Sequence, residues 1–385
     1  MNETHATQYL LAASPIPSQD CTSRTRKILA ALGEPQKNIS IVKILGEAGK
    51  STVSRLLTFG LSQSSIACAS VSLSPLREPR LAIRIGNAPP THIEFAAAVT
   101  KTWRAARECS QEQLCYEEIL LATALVLATN AGCRILLTEL SADNKNSAAS
   151  ALTAPSLCIL TSSSEKMATG YLVLIDTRNE IVAAPQETGV TRLLTDRAAT
   201  LHCRLNVPIR PNEYRQSQGQ LCFSYQKTPY TLATTAYYHI NNALVAIEAF
   251  EVLRRKGFLI SSDSILAALR ESTCFLGFRL FSLSPAWLID VANSPFRLSA
   301  LADAVKKCPD IFGNRFSVLT EPHLATACRE IFGESMADIT LVETKNIKQL
   351  RKQYSPPTQA PLLAVGSQTF TEEILRTLNA LFLFG

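Results

Sequence analysis

The spacing of apolar residues near the start of the chain predicts a strand, a loop and a helix. Residues 39–45 form a β-branched, mostly apolar run that is typical of a strand. A glycine-bearing turn follows, and beyond it Val53, Leu56 and Leu57 recur at helical spacing. The sequence therefore places a glycine-bearing turn between a buried strand and a helix.

Two further helices and a buried strand are predicted before residue 140. Thr91 and Glu94 have the spacing of a capping box, so a helix is expected to begin there. A second helix, over about 114–130, precedes a short apolar run at 134–139 that ends in Glu139. Such a run between helical segments is typical of a buried parallel strand.

The alternation continues in the middle of the chain. Residues 156–160 and 171–175 are predicted as strands. Apolar residues at helical spacing from Ile240 to Phe250 predict a helix that ends at Gly257.

Composition excludes several classes of protein. With 385 residues, of which 46% are apolar and 18% charged, the chain is long enough for two or three domains and too apolar to be disordered. Its net charge of +6 is spread along the sequence, which argues against a dedicated nucleic-acid-binding arm. The eleven cysteines form no metal-binding or redox motif, so we expect reduced thiols in the core.

No membrane or export segment is predicted. The longest apolar stretch, residues 119–128, covers half of the roughly 20 residues that a membrane span requires. The first residues lack the basic start and apolar core of a secretory signal. We therefore expect a cytoplasmic protein without nucleic-acid or membrane partners, and we treat it as a monomer.

The turn after the first strand has the composition of a phosphate-binding loop. It runs Gly46-Glu47-Ala48-Gly49-Lys50-Ser51-Thr52. In such loops glycines let backbone N–H groups curl around an anion, the helix start adds positive potential, a lysine reaches the outer phosphates and a hydroxyl holds Mg²⁺. The strict form of the motif needs glycine at position 44, where this chain has Ile44, so the loop is a variant.

Together these patterns predict an α/β protein of two domains. Residues 1–283 are predicted to form a phosphate-loop ATPase domain with a mainly parallel sheet. Residues 284–385 are predicted to form a smaller, doubly wound α/β domain, because helical stretches there alternate with strand candidates. Those strands are expected at 286–290, 316–319, 339–342 and 362–365.

Further motifs follow one another along the chain. Residues 28–36 read Ile-Leu-Ala-Ala-Leu-Gly-Glu-Pro-Gln, and residues 290–295 read Asp-Val-Ala-Asn-Ser-Pro. Others are Ser74-Pro75-Leu76, Arg84-Ile85-Gly86-Asn87, Tyr116-Glu117-Glu118-Ile119-Leu120, Glu139, Asn241-Asn242-Ala243 and Val365-Gly366-Ser367. In this order they resemble the folylpolyglutamate synthase and dihydrofolate synthase family of the Mur ligase superfamily. That family carries Leu-Leu-x-x-Leu-Gly-Asn-Pro-Gln before a Gly-Thr-Asn-Gly-Lys-Gly-Ser loop, and later Asp-Gly-Ala-His-Asn-Pro.

The resemblance implies an ATP-dependent amide ligase with ATP and Mg²⁺ as cofactors. Members of the family transfer the γ-phosphate of ATP to a folate or dihydropteroate carboxylate, and the amine of glutamate then attacks the acyl phosphate. By this resemblance Lys50 and Asp290 are the candidate catalytic residues. Lys50 would neutralise phosphate charge as the transition state forms.

Other site residues are implied by the same resemblance. The nucleotide is expected to contact Gly46, Gly49, Lys50, Ser51, Thr52, Asn242, Arg279 and Asn293. The expected metal ligands are Thr52, with Ser51 as the alternative hydroxyl, and the strand-end Glu139. Ser74 falls where the family places a ligand of a further metal ion.

Some segments depart from the family pattern. No glycine follows Glu139 over residues 140–146, so close approach of the backbone to a ligand is harder there. Residues 160–186, where the family has an Asp-His pair and a modified lysine, contain no His, and Lys166 is their only lysine.

Three single positions also differ. Asn293 stands in place of the family's His, and Phe278 stands where a Gly-Arg supplies an arginine that Arg279 could replace. Glu47 places a carboxylate inside the phosphate loop. At about 5 Å from a phosphate charge this carboxylate would cost roughly 3 kcal/mol, unless its side chain points away or binds metal.

The departures leave two other interpretations open. A non-catalytic descendant, which keeps the scaffold as a binding or assembly protein, is favoured by the missing histidines and glycines. A cell-wall-type Mur amino-acid ligase is favoured by Gly-Lys-Ser-Thr, which resembles the loop of those enzymes more than Gly-Lys-Gly-Ser does. Residues 28–36 weigh against this last interpretation.

Overall fold

A computed structural model describes most of the chain. The described residues are 1–109, 113–140, 146–175, 180–217, 219–274, 277–283, 286–313, 315–333, 337–341, 361–367, 369–371 and 373–374. Their α-helices are α1 (Glu3–Leu11), α2 (Cys21–Ala31), α3 (Lys50–Gln63), α4 (His92–Cys109), α5 (Tyr116–Asn130), α6 (Glu165–Leu172), α7 (Thr188–Thr200), α8 (His239–Arg255), α9 (Ser262–Arg270), α10 (Pro295–Lys306), α11 (Pro309–Phe312) and α12 (Ala325–Phe332).

The strands alternate with these helices. They are β1 (Ser40–Leu45), β2 (Cys68–Ser72), β3 (Ile83–Ile85), β4 (Ile135–Glu139), β5 (Leu157–Leu160), β6 (Glu180–Ala183), β7 (Arg204–Asn206), β8 (Tyr214–Ser217), β9 (Gln220–Tyr225), β10 (Thr228–Leu232), β11 (Arg279–Leu283), β12 (Ala286–Asp290), β13 (Phe316–Thr320), β14 (Ala337–Leu341) and β15 (Leu362–Val365).

The larger sheet has seven strands in the order β3-β2-β4-β1-β5-β6-β7. Only β3 runs antiparallel to its neighbour; the other pairings are parallel. Glu139, at the end of β4, lies opposite Ile44 of β1 and Ser72 of β2. Because parallel strands end at the same edge of a sheet, the segments that follow β1, β2, β4 and β5 lie at one edge, which we call the carboxyl edge.

The smaller sheet has the order β11-β12-β15-β13-β14. Its first strand is antiparallel to β12, and the remaining pairings are parallel. A third sheet is formed by β10, β9 and β8. The predicted fold class is confirmed: a mainly parallel sheet with helices is followed by a smaller α/β sheet.

The predicted elements are found with one exception, and residue 342, the last of the strand predicted over 339–342, lies outside the described residues. The capping box is present, since the Glu94 carboxylate accepts a hydrogen bond from the Thr91 N–H at 2.8 Å. The strand predicted over 171–175 is wrong, because Tyr171 and Leu172 are the last two residues of α6. Together with Ala168 they form the buried face of that helix, so their apolar spacing reflects a helix and not a strand.

Contacts between residues divide the chain into two units. The first unit comprises Met1–Arg215, Cys222–Ala233 and His239–Cys274. The second comprises Gln216–Leu221, Thr234–Tyr238 and Phe275–Gly385. The division after residue 283 stays a prediction, and residues 284 and 285 lie outside the described residues.

Each unit has its own apolar core. In the first unit α5 is buried along nearly its whole length, which explains why its sequence is apolar on every side. Two acids of its first turn are buried with partners: Arg24 donates to Glu118 at 3.0 Å and 3.1 Å, and the Ser147 hydroxyl donates to Glu117 at 2.7 Å. In the second unit the Phe312, Phe316 and Phe332 rings meet edge to face.

The cysteines and the lengths of the helices are the next features of the described residues. All eleven cysteines are free thiols; the Cys21 and Cys115 sulfurs are 3.7 Å apart. In the part of the chain that the structure describes, no helix combines the length and the apolarity needed to cross a bilayer.

Candidate functional site

The segment between β1 and α3 turns sharply at two glycines. Gly46 has φ +125° and Gly49 has φ +97°, conformations that residues with a side chain rarely adopt. Gly49 is the N-cap of α3, and no side chain caps the helix start. The first N–H groups of an α-helix have no partner within the helix, and such groups bind the anion in a phosphate loop.

The loop holds its own lysine. Lys50 Nζ donates to the Gly46 carbonyl oxygen at 2.5 Å. The buried Tyr171 hydroxyl donates to the same oxygen at 2.6 Å. Two donors on one carbonyl fix the start of the loop, and one of them is the loop's own lysine.

Glu47 turns away from the interior of the loop. Its carboxylate accepts hydrogen bonds from the Ser164 hydroxyl at 2.8 Å and from the Ser164 N–H at 3.3 Å. Ser164 is the residue before α6. The repulsion expected between this carboxylate and a phosphate is therefore reduced, because the charge is directed toward a helix N-terminus that stabilises it.

Two amides of the loop are already engaged. The N–H groups of Glu47 and Ala48 both donate to the Ser162 carbonyl oxygen at 3.0 Å. Ala48 and Ser162 also form an isolated antiparallel bridge. In this conformation the segment after β5 supports the loop, and the amides of residues 47 and 48 are not directed at a ligand.

A hydroxyl and a carboxylate meet beside the lysine. The Ser51 hydroxyl donates to Glu139 Oε2 at 2.6 Å. Burial raises the pKa of Glu139, whereas hydrogen bonds from Ser51 and Ser54 and the charge of Lys50 act to lower it. The structure thus joins Ser51, rather than Thr52, to the acid at the end of β4.

Ser74 lies at the same edge of the sheet. It follows β2 by two residues and is half-buried, and the neighbouring Leu73 N–H donates to the Glu139 carbonyl oxygen at 3.1 Å. This places Ser74 near the Glu139 strand end without a direct contact between the two side chains. Its role as a ligand of a further metal ion stays a prediction.

The first turn of α8 packs against the loop. A Cβ added to Gly49 would lie 2.1 Å from Asn242 Oδ1, and the φ of +97° favours glycine there as well. The Asn242 side-chain amide also meets His239 Nδ1 at 3.0 Å. Burial lowers the pKa of His239 to about 3, so this imidazole is neutral at physiological pH.

Asp290 ends β12 in the second unit. It accepts hydrogen bonds from the Tyr238 hydroxyl at 2.7 Å and from the Phe278 N–H at 3.1 Å. A Cβ on Gly277 would lie 2.6 Å from its Oδ1. Burial raises the pKa of Asp290 to about 6, although both donors act to lower it. The carboxyl group is thus enclosed by its own unit.

The other two predicted residues of this unit are exposed. Asn293 Oδ1 accepts a hydrogen bond from Arg297 Nη1 at 3.2 Å, one turn later in the chain. Arg279 lies in β11, opposite Ile289 of β12. Their contact with a nucleotide stays a prediction, as does the catalytic role of Asp290.

Several residues around the loop could not be found from sequence patterns. Tyr171, Ser162 and Ser164 reach the loop from the segment after β5, and their residue types carry no motif. Gln186 adds to this support, since its Nε2 donates to the Thr161 carbonyl oxygen at 2.8 Å. The sequence indicates only where such residues lie, because the ligand loops of parallel sheets follow the carboxyl ends of adjacent strands.

Comparison with known proteins gives matches among solved structures. No protein-family profile matches the sequence, and no curated protein sequence is significantly similar to it. The apo form of Lactobacillus casei FPGS (folylpolyglutamate synthase) is similar at a TM-score of 0.84 and 16% identity, over 99% of this chain and 100% of that chain.

Two ligand complexes are similar as well. An FPGS-AMPPCP-folate complex has a TM-score of 0.83 and 17% identity, with full coverage of both chains. Mycobacterium tuberculosis folylpolyglutamate synthase complexed with ADP and AMPPCP has a TM-score of 0.78 and 18% identity, over 98% of this chain and 99% of that chain. The resemblance is confirmed at the level of fold: this chain has the fold of the folylpolyglutamate synthases.

Proposed function

We propose that the protein is an ATP-dependent amide ligase that joins glutamate to the carboxylate of a folate or dihydropteroate through an acyl phosphate. The observation that carries the proposal is the convergence of Lys50, Ser51 and Glu139 at the start of α3. A lysine, a hydroxyl and a strand-end carboxylate are the groups that phosphoryl transfer from ATP needs. The fold supports it, since solved proteins of this fold bind AMPPCP and folate.

In this proposal Lys50 has the main electrostatic role. Its ammonium leaves the Gly46 carbonyl and contacts the outer phosphates, which lowers the free energy of the charge that develops during transfer. The helix-start amides contact the phosphates as well. Glu47 stays on Ser164, so its negative charge does not oppose the nucleotide.

The donors present fit a magnesium ion. Ser51 Oγ and the Glu139 carboxylate offer oxygen ligands, which Mg²⁺ prefers, and they already lie 2.6 Å apart. These two residues would hold the ion, with Thr52 and Ser74 as the other predicted ligands. When bound, the ion supplies charge neutralisation for the phosphates. Asp290, Asn242, Asn293 and Arg279 remain proposed site residues.

A non-catalytic descendant is the second candidate. It is favoured by the engaged amides of Glu47 and Ala48, which an anion cannot use in this conformation. The interval 160–186 also favours it. The family has a modified lysine there, whereas the only lysine of this interval, Lys166, lies exposed on α6. Such a protein would use the same scaffold for binding or assembly.

Calorimetry with ATP and MgCl₂ tests the nucleotide part of the proposal. We expect saturable binding to the wild type and a loss of at least a hundredfold in Lys50→Ala. Lys101→Ala, which removes an exposed lysine of α4, is the matched control and should bind as the wild type does. Absence of heat in the wild type would refute ATP binding.

Phosphate release then separates the two candidates. Wild-type protein with ATP, MgCl₂, dihydropteroate or folate, and glutamate should release phosphate only when all substrates are present. Binding of ATP without release, for any pteroate tested, would support the non-catalytic descendant.

A further inference from the structure

A cavity lies at the opposite end of the seven-stranded sheet from the phosphate loop. It has a volume of about 800 Å³ and is bordered by Ser40 at the start of β1, Ser156 before β5, and Arg134 before β4. We call it the amino-edge cavity. A β1 of six residues separates it from the loop by roughly 20 Å, at about 3.3 Å per residue. Its volume is in the range that holds a small organic ligand.

The charge of the cavity wall is positive. Arg26, Lys37 and Arg134 line it, with Glu34 as the acidic group. Lys37 Nζ is 2.5 Å from Glu34 Oε2, so this pair is neutral overall. Among the described residues, the guanidinium groups of Arg26 and Arg134 have no carboxylate within ion-pair distance. Two uncompensated cations therefore line the cavity.

Two other features give the site chemical detail. The Arg134 guanidinium carbon lies over the Phe258 ring, 5.0 Å from its centroid, a cation–π contact that restrains the side chain. Gln36 lines the same cavity, and within the described residues its buried Oε1 has no hydrogen-bond partner. A buried acceptor without a donor is unfavourable, and a rotation of this flexible side chain lets it meet a donor on a ligand.

We propose that the amino-edge cavity binds a nucleoside monophosphate, an organic anion with a planar ring and N–H donors. The phosphate lies between Arg26 and Arg134, since guanidinium groups bind phosphate oxygens through paired N–H donors. The ring stacks on the guanidinium plane of Arg134, and an N–H of the base donates to Gln36 Oε1. The site is independent of the ligase reaction proposed for the carboxyl edge.

AMP is the probe, and the Lys50→Ala variant of the full chain is the background, so that binding at the phosphate loop is suppressed. We expect saturable calorimetric binding that weakens as NaCl is raised, because the contact is ionic. Arg26→Glu with Arg134→Glu should weaken binding at least tenfold, and Gln36→Leu about threefold. Arg104→Glu, which reverses an exposed charge on α4, is the matched control and should change binding less than twofold.

Thermal unfolding verifies that each variant is folded; if the double reversal is not, Arg26→Gln and Arg134→Gln replace it, each with an expected loss of at least threefold. No saturable binding of AMP in the Lys50→Ala background overturns the proposal, as does binding that the arginine variants leave unchanged. Inorganic phosphate that binds as tightly as AMP overturns the nucleoside part. None of these results affects ATP binding at the phosphate loop, which is tested separately with wild-type protein.

Discussion

Glu139 and Asp290 are both buried carboxyl groups at the end of a parallel strand, one in each unit, yet their surroundings differ. Glu139 accepts a hydrogen bond from the Ser51 hydroxyl, which can rotate its hydrogen away so that both oxygens face a cation. Asp290 accepts hydrogen bonds from the Tyr238 hydroxyl and from the Phe278 N–H. The Phe278 N–H belongs to the backbone directly before β11, so it cannot turn away without a movement of that strand. The donors around a strand-end acid therefore determine how readily its carboxylate can take up a cation.

The largest effect is expected for Glu139→Gln. Loss of a charged ligand should weaken ATP binding in the presence of MgCl₂ at least a hundredfold, with a much smaller change when EDTA replaces the metal. Because burial raises the pKa of Glu139, wild-type binding should also weaken as the pH falls, and it should do so at a higher pH than for a glutamate with an ordinary pKa. Calorimetry over a pH series measures both effects.

Glu117→Gln is the matched control for this prediction. It replaces another buried glutamate of the first unit and keeps an acceptor for the Ser147 hydroxyl, so nucleotide affinity should not change. Affinity in Glu139→Gln within threefold of the wild type would show that this acid is not a metal ligand.

Asp290→Asn should change how stability depends on pH. Burial raises the pKa of Asp290 in the folded protein to about 6, above the unfolded value. Its stabilising contribution is therefore complete below the unfolded pKa and is lost as the pH rises through 6. Relative to Asp290→Asn, the wild type should lose about 2–3 kcal/mol of unfolding free energy between pH 4 and pH 8.

Urea unfolding of both proteins across this pH range makes the measurement. Tyr238→Phe provides a second test, because removal of the phenol donor should raise the pKa of Asp290 further and steepen the loss. Parallel stability curves for the wild type and Asp290→Asn would contradict a pKa of Asp290 raised by burial.

A smaller effect is expected at Glu47, where two substitutions are compared at equal charge. Glu47→Gln keeps an acceptor for Ser164, whereas Glu47→Ala removes it and releases that side of the loop. We expect Glu47→Ala to bind ATP about tenfold more weakly than Glu47→Gln, about 1.4 kcal/mol. Equal affinities would mean that the contact with Ser164 does not position the loop.

The smallest effect is expected for Asn293→Ala. Asn293 is exposed, and its contact with Arg297 is a surface hydrogen bond, so the unfolding free energy should change by less than about 0.5 kcal/mol. Urea unfolding measures it, with Ser294→Ala, which removes the side chain that caps α10, as a comparison expected to cost about 1 kcal/mol. A loss above 1 kcal/mol in Asn293→Ala would show that Asn293 has a structural role.

The strand, loop and helix around the lysine could be predicted because periodicity and glycine placement are local signals. The apolar run that ends in Glu139 predicted a parallel strand, and the resemblance implied that this acid lies with the loop. The direction of the Glu47 carboxylate could not be predicted, because it depends on Ser164, which is distant in sequence. The strand predicted over 171–175 was wrong for a related reason: short apolar runs do not distinguish a strand from one face of a helix.

The contact between Gly49 and Asn242 has a practical consequence for work with parts of the molecule. The turn that carries the lysine is shaped in part by a helix encoded far downstream, after the three small strands β8, β9 and β10. A shortened polypeptide that stops before α8 would keep the whole Gly-x-x-Gly-Lys-Ser-Thr motif and still lack the helix that packs against that turn.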